Sequence, residues 1–84
     1  MYTIYILQSL ARNYIYVGMT NNIERRLGQH QQGKAKTTKA YRPFKLIFTE
    51  ERNTRQEARN REKYLKSGIG KEWIKSVVLK RQAT

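Results

Sequence analysis

Arg26 and His30 stand four residues apart, a spacing that puts both side chains on one face of a helix. A guanidinium held there could grip a phosphate through its planar fork. An imidazole titrates near neutrality and could act as a base or a hydrogen-bond partner. Taken alone, His30 reads more simply as a partly exposed helix histidine. Arg25 faces solvent and adds only field. Tyr5 and Tyr16 fall in two runs that read as strands, where tyrosine is a common packing residue. With a side-chain pKa of about 10, a tyrosine needs neighbouring cations to serve as a base at neutral pH, and Arg26 is the candidate. Gly18 directly follows the second tyrosine's run and allows either a close backbone approach or a positive φ.

All six acids are glutamates. Glu24 and Glu57 belong to helix starts, and Glu50, Glu51 and Glu72 lie near segment ends. Glu62 is different. It falls four residues after Ala58 and three before Leu65, so it shares their inward face. A carboxylate there is costly unless it is paired or binds a cation. Two readings follow: a partly buried salt bridge to an arginine, or a ligand for a hard divalent cation. A single well-placed acid is too few for a two-metal site or for paired-carboxylate glycosidase chemistry. The absence of aspartate argues against a Ser-His-Asp triad.

These residues need elements to position them. MYTIYILQSL predicts a strand over about residues 2 to 8, and YIYVG a second, so the short polar connection favours an antiparallel hairpin. TNNIERRLGQHQQG predicts a helix with Asn21 and Glu24 as a capping box, Ile23 and Leu27 as its buried stripe, and Gly33 as its end. Gly28 weakens that helix by about 1 kcal/mol relative to alanine. Residues 33–43 are basic, contain no acid and read as a loop. FKLIFTE predicts a third strand with Phe44, Leu46 and Phe48 on one face. Thr54 and Glu57 cap a helix that runs to about Ser67, with Ala58, Leu65 and Ile69 inward. SGIG breaks it, and KEWIKSVVLKR forms a last helix docked by Trp73 and Ile74. The order ββαβαα predicts an α+β domain, a small three-stranded antiparallel sheet flanked by helices.

Eighty-four residues are expected to form one domain, residues 1–84. A chain this short buries only about 60% of its unfolded surface, which makes its aromatic residues valuable core material. With no cysteine, disulfides and thiolate metal sites are excluded, in keeping with a reducing, cytoplasmic setting. No run approaches the ~20 apolar residues of a membrane span, and no secretory signal pattern is present. Eighteen Lys and Arg against six acids leave a formal charge of +12, a field that attracts polyanions. Nucleic acid is the expected partner, and a membrane is not.

Together the residues resemble a known family. TIY at residues 3 to 5 and YVG at 16 to 18, about ten residues apart, resemble the signature of the GIY-YIG nuclease superfamily. YVGMTNNIERRLGQH is similar to its strand-turn-helix, and EARNREKYLK to its later helix. The likeness spans roughly residues 2 to 75, and small stand-alone bacterial members look most alike, with the N-terminal catalytic domain of the excision-repair incision nuclease as a larger relative. The resemblance implies hydrolysis of DNA phosphodiester bonds with one divalent ion, Mg2+ or Mn2+. Glu62 would bind the metal and Arg26 would stabilise charge on the scissile phosphate. Tyr5, Tyr16 and His30 would surround the attacking water, one tyrosine serving as base or positioning that water, with Tyr16 slightly preferred. Lys34, Lys36, Lys39 and Arg42 would contact backbone phosphates without sequence preference. Thr3 replaces the first glycine of the signature, Val17 replaces its isoleucine, and no asparagine follows Asn60. No accessory DNA-recognition domain is expected, so substrate selection would fall to this domain, to a homodimer or to a protein partner. The implied role is DNA repair or processing, with RNA not excluded. Two other classes compete: a nucleic-acid-binding module with little or no catalysis, and a basic ribosome-associated protein.

Overall fold

In the computed structural model, residues 1–80 are described. Strands β1 (Tyr2–Ser9) and β2 (Ile15–Thr20) lead into helix α1 (Ile23–Gln31). Strand β3 (Phe44–Arg52), helix α2 (Arg55–Lys66) and helix α3 (Gly68–Trp73) follow, and α3 continues as a π-helical segment, Ile74–Leu79. The sheet order is β2-β1-β3 with both pairings antiparallel, the α+β arrangement and element order that the sequence predicts. Among the described residues, no helix is long and apolar enough to cross a membrane.

Four successive residues of β1, Ile4 through Leu7, are fully or almost fully buried. Alternate side chains of a strand point to opposite faces, so unbroken burial requires cover on both sides. Ile4 and Ile6 join Val17, Ile47, Ala58, Leu65, Ile74 and Val78 on the α2 and α3 face. Tyr5 and Leu7 join Phe44 on the other face, against Ile23 and Leu27 of α1 and the rings of Tyr14, Tyr16 and Tyr41. The aromatic candidates therefore look toward α1, while α2 lies behind the sheet.

Local chemistry explains the helix limits, with some corrections. Asn22, not Asn21, caps α1, its side chain accepting from the Arg25 N–H at 3.1 Å. Gly33 adopts φ 77° just past the helix. The Lys34 and Gly33 amides then donate back to the Gln29 and His30 carbonyls, the double closure of a Schellman motif. Thr54 caps α2 and hydrogen-bonds Glu57 by side chain and backbone, as expected. SGIG does more than break α2: the Ser67 side chain accepts from the Gly70 N–H and starts α3 there. Gly70 is buried so tightly that a Cβ would strike the Tyr64 carbonyl and the Leu65 backbone. Ile69 is consequently 73% exposed and not inward. Ile74 is buried, and Trp73 meets Phe48 edge to face at 5.5 Å, the docking expected of the last helix. Arg81, the end of that predicted helix, lies outside the described residues.

β3 departs from simple alternation. Its register against β1 shifts between Ile6 and Leu7, which pair with Phe48 and Leu46, so Ile47 is the extra residue of a bulge. Alternation restarts there. Ile47 turns into the core while Leu46 is left 37% exposed.

Candidate active site

The β1–β2 register places Tyr5 opposite Gly18 and Leu7 opposite Tyr16. Tyr5 and Tyr16 are thus diagonal neighbours on one face, with ring centroids 6.1 Å apart. A Cβ on Gly18 would lie 2.6 Å from the Tyr5 hydroxyl oxygen and 2.8 Å from Cε2 of Tyr16. Of the two reasons open for this glycine, close approach is the one that applies, since its φ is not positive.

Helix α1 brings His30 and Arg26 over this face. His30 is completely buried, its ring 5.0 Å from that of Tyr16, 5.8 Å from Tyr5 and 6.1 Å from Phe44. Gln31 holds the helix end in place by a two-point clamp on Phe44, donating to its carbonyl and accepting from its N–H. Both imidazole nitrogens are engaged. Nε2 lies 2.9 Å from the Tyr5 hydroxyl and Nδ1 lies 2.8 Å from Oγ1 of Thr38. The Thr38 hydroxyl donates to the Ala35 carbonyl in a long bond of 3.4 Å, so it accepts from Nδ1–H. Nε2 is then free to accept from the Tyr5 O–H. The Arg26 guanidinium, which can only donate, is near enough to act on the Tyr5 hydroxyl and favours the same polarity.

Electrostatics follow from burial. Desolvation and then the charge of Arg26 push the His30 pKa down to about 4, so the ring is neutral at pH 7. It is neither partly exposed nor poised near neutrality, as the sequence alone suggests, because the Thr38 loop and Phe44 seal it. Desolvation pushes the Tyr5 pKa up to about 12; Arg26 works against that rise and Tyr16 adds to it. Burial opposes the charge of Arg26, but the two tyrosine hydroxyls outweigh it and hold its pKa above the ordinary arginine range. Its Nη1 donates to Oε1 of Gln29 at 3.0 Å, which aims the fork. Arg25 is exposed, as expected.

Glu62 is 9% exposed on α2, and its ion pairs run to Lys66 at 3.1 Å and to Arg59 at 3.8 Å. Both partners are about half exposed at the side chain. The carboxylate borders a polar hollow of about 390 Å³ that Tyr2, Thr20, Asn21 and Arg55 also line. Tyr5, Tyr16, Arg26 and His30 therefore come together, while among the described residues no hydrogen bond or ion pair joins Glu62 to them. A groove of about 800 Å³ along β2 is lined by Tyr16 and by Lys66, the lysine that pairs with Glu62, while Tyr5, Arg26, His30 and Glu62 do not line it.

The donor set limits which cation fits. Among the described residues, no group of three potential metal-ligating side chains occurs. A single carboxylate with two displaceable surface partners and a polar hollow beside it suits a Mg2+-like ion. Such an ion keeps several waters and takes further oxygens from a substrate phosphate.

In the loop, Lys34, Lys36 and Lys39 are exposed. Arg42 is exposed too, but its Nη1 donates to the Gln32 carbonyl, and its guanidinium occupies the space a side chain at position 33 would need. It braces the end of α1. Thr38 escapes sequence reasoning, since nothing in KAKTTK separates it from Thr37. Lys66 carries a usable signal, the Glu-to-Lys spacing of four that pairs across a helical turn.

Known proteins agree with this architecture. A UPF0213 protein of Bacillus licheniformis is 49% identical over 53 residues, 62% of this chain and 55% of that protein. UPF0213 protein YazA of Bacillus subtilis is 46% identical over 55 residues, 64% of this chain and 56% of that one. The match thus spans little more than half the length of these two relatives. The solution NMR structure of a UPF0213 protein from Bacillus halodurans superposes with a TM-score of 0.55 at 33% identity, covering 92% of this chain and 85% of that one. The GIY-YIG catalytic domain profile matches residues 1–73, from the first strand through α3 and so across every candidate residue above. With that match over most of its length, the chain belongs to the GIY-YIG catalytic domain family.

Proposed function

We propose that this protein is a divalent-cation-dependent endonuclease that hydrolyses phosphodiester bonds of DNA, acting in DNA repair or processing in the cytoplasm. Membership of a nuclease domain family supports the hydrolase class. The observation that carries the reading further is the buried 2.9 Å bond between Tyr5 and His30 with Arg26 beside it. A water next to the Tyr5 oxygen gives its proton to that oxygen as the tyrosine proton passes to Nε2 of His30. The resulting hydroxide oxygen bonds to phosphorus, and the bond to the leaving oxygen breaks, that oxygen departing with the electron pair and taking its proton from solvent water. This relay needs no free tyrosinate, which a pKa of about 12 would make scarce at pH 7. It does need His30 to become imidazolium, which its pKa of about 4 opposes and the negative phosphate brought beside it would favour. Arg26 donates to the non-bridging oxygens as negative charge grows on them. Tyr16 borders the groove and orients the strand and the attacking water.

Glu62 would hold Mg2+ or Mn2+, with Lys66 and Arg59 moving to phosphate oxygens. Such an ion supplies Lewis-acid stabilisation of the phosphorane charge. Lys34, Lys36 and Lys39 add sequence-independent affinity for the backbone. Choice among substrates falls to this domain or to a partner.

The test incubates purified protein on labelled single-stranded, duplex and branched DNA with Mg2+ or with EDTA, with Glu62→Ala in parallel. Cleavage requiring both the cation and Glu62 is expected, with DNA affinity of the variant unchanged or higher. Equal cleavage by variant and wild type would remove Glu62 from the site. Binding without cleavage on every substrate would favour a nucleic-acid-binding module instead.

A further inference from the structure

Two residues of the candidate site each serve two places. Tyr16 packs at a tilt against His30 and Tyr5, yet it also lines the groove along the outer edge of β2. Lys66 donates to Glu62 and lines the same groove. An occupant of that groove therefore touches one member of the tyrosine cluster and the lysine that pairs with Glu62. β2 pairs with β1 alone, so among the described residues no strand covers this edge.

The lining has a definite character. Half-buried Ile15 and Leu79, backed by buried Val17, Leu65 and Ile74, form an apolar floor. Lys66, Lys71 and Lys75 stand exposed along it, and no acid lines the groove. Tyr14 adds an aromatic wall held rigid by its stack on Tyr41, with centroids 3.8 Å apart and planes 13° from parallel. The shape and charge call for a ligand that offers flat apolar faces and closely spaced negative charges together. A duplex buries its base faces and cannot present both. A strand without a complement can, and stacking on aromatic walls inside a positively charged groove is how such strands are held.

We infer that the β2 groove binds an unpaired DNA strand, bases against the floor and Tyr14, phosphates on Lys66, Lys71 and Lys75. This rests on the reading that the Tyr5–His30–Arg26 cluster acts on DNA, and it narrows the substrate to a single-stranded segment. One consequence is built into Lys66. A phosphate that draws its ammonium away would leave the Glu62 carboxylate with Arg59 as its remaining partner and so more open to a cation.

The experiment is run in EDTA, so that it reads binding and not cleavage. A short fluorescent deoxyoligonucleotide, a hairpin duplex of the same sequence and the matching RNA are titrated into the full chain and into Lys71→Ala/Lys75→Ala. Salt is varied, and backbone amide shifts are recorded by NMR. Each lysine lost should lower the slope of log affinity against log salt by about 0.7 for a single strand. The double variant should thus lose about 1.4, and between roughly 50 and 200 mM salt the wild type should weaken about sevenfold more than the variant. Amides of Tyr14–Val17 and Lys71–Lys75 should shift with the single strand far more than with the duplex. An unchanged slope, or shifts confined to residues 33–42, would overturn the groove assignment. Equal shifts with the hairpin would overturn the unpaired strand, and RNA bound as tightly as DNA would overturn the choice of DNA. Failure of Mg2+-dependent cleavage leaves this binding result standing, and loss of the groove result leaves cleavage untouched, so the two readings fail separately.

Discussion

Replacing Thr38 by valine removes one hydroxyl from a fully buried position and keeps the side-chain shape. The hydroxyl accepts from Nδ1–H of His30 and so holds the tautomer in which Nε2 faces Tyr5 as an acceptor. Without it, a buried N–H loses its only partner, which costs about 1–3 kcal/mol. The ring can escape by moving its proton to Nε2, but that nitrogen then opposes the Tyr5 O–H with a second donor. Either way, the tyrosine proton loses its acceptor or the acceptor is raised in energy. If the same 1–3 kcal/mol falls on the transition state, kcat drops by about 5- to 150-fold, at roughly 1.4 kcal/mol per tenfold. The assay pairs single-turnover DNA cleavage with 15N NMR of the imidazole and urea unfolding. Thr38→Val should slow cleavage, weaken the Nδ1–H signal and lower stability, whereas Thr38→Ser, which keeps the hydroxyl, should restore the tautomer and most of the rate. Wild-type cleavage with an unchanged imidazole spectrum in Thr38→Val would refute the relay. Lost stability with unchanged chemistry would make Thr38 a packing residue only.

The pKa of His30 makes a pH prediction with a definite sign. It is about 4 in the folded chain against 6.5 ordinarily, so the unfolded state binds the proton first. Stability from this group is complete above pH 6.5 and is lost as pH falls toward 4, by up to about 3 kcal/mol. The urea midpoint should fall less between pH 7 and pH 4 in His30→Gln than in wild type; equal falls would deny the buried neutral ring. Gly28 sits in α1 with open space where an alanine methyl would project, nothing lying within 4 Å of it, and its φ is not positive. Gly28→Ala should therefore stabilise the chain by about 1 kcal/mol in urea unfolding. A loss of stability there would mean that the helix meets something the fold does not show. Removing Lys34, Lys36 and Lys39 together should lower the salt slope of duplex DNA binding by up to about 3, read by fluorescence anisotropy. No change would move the backbone contacts away from this loop.

Much of the scaffold is legible because it is local. The strand periods, the Thr54–Glu57 cap and the Gly33 ending each need only a few neighbouring residues. What escapes local reasoning is set by contacts made elsewhere. A bulge opposite Ile6 and Leu7 exchanges Leu46 for Ile47 in the core, and no feature of FKLIFTE marks it. Burial of His30 depends on a threonine eight residues later and on Phe44 being clamped by Gln31. The i, i+4 spacing of Arg26 and His30 correctly gives them one helix face, but it is silent on how deep that face lies. Helical spacing likewise turns Glu62 inward without saying which side of the sheet α2 covers. That side is opposite α1, so a phosphodiester served by both the carboxylate and the tyrosine cluster would have to reach them around a strand and not across a pocket floor. The arrangement works only because β2 is outermost in the β2-β1-β3 order. Had β2 been central, another strand would stand beside Tyr16, and Lys66 could not share a groove with it. The edge position of a six-residue strand is thus what the proposed single site, drawn from two faces of one small sheet, depends on.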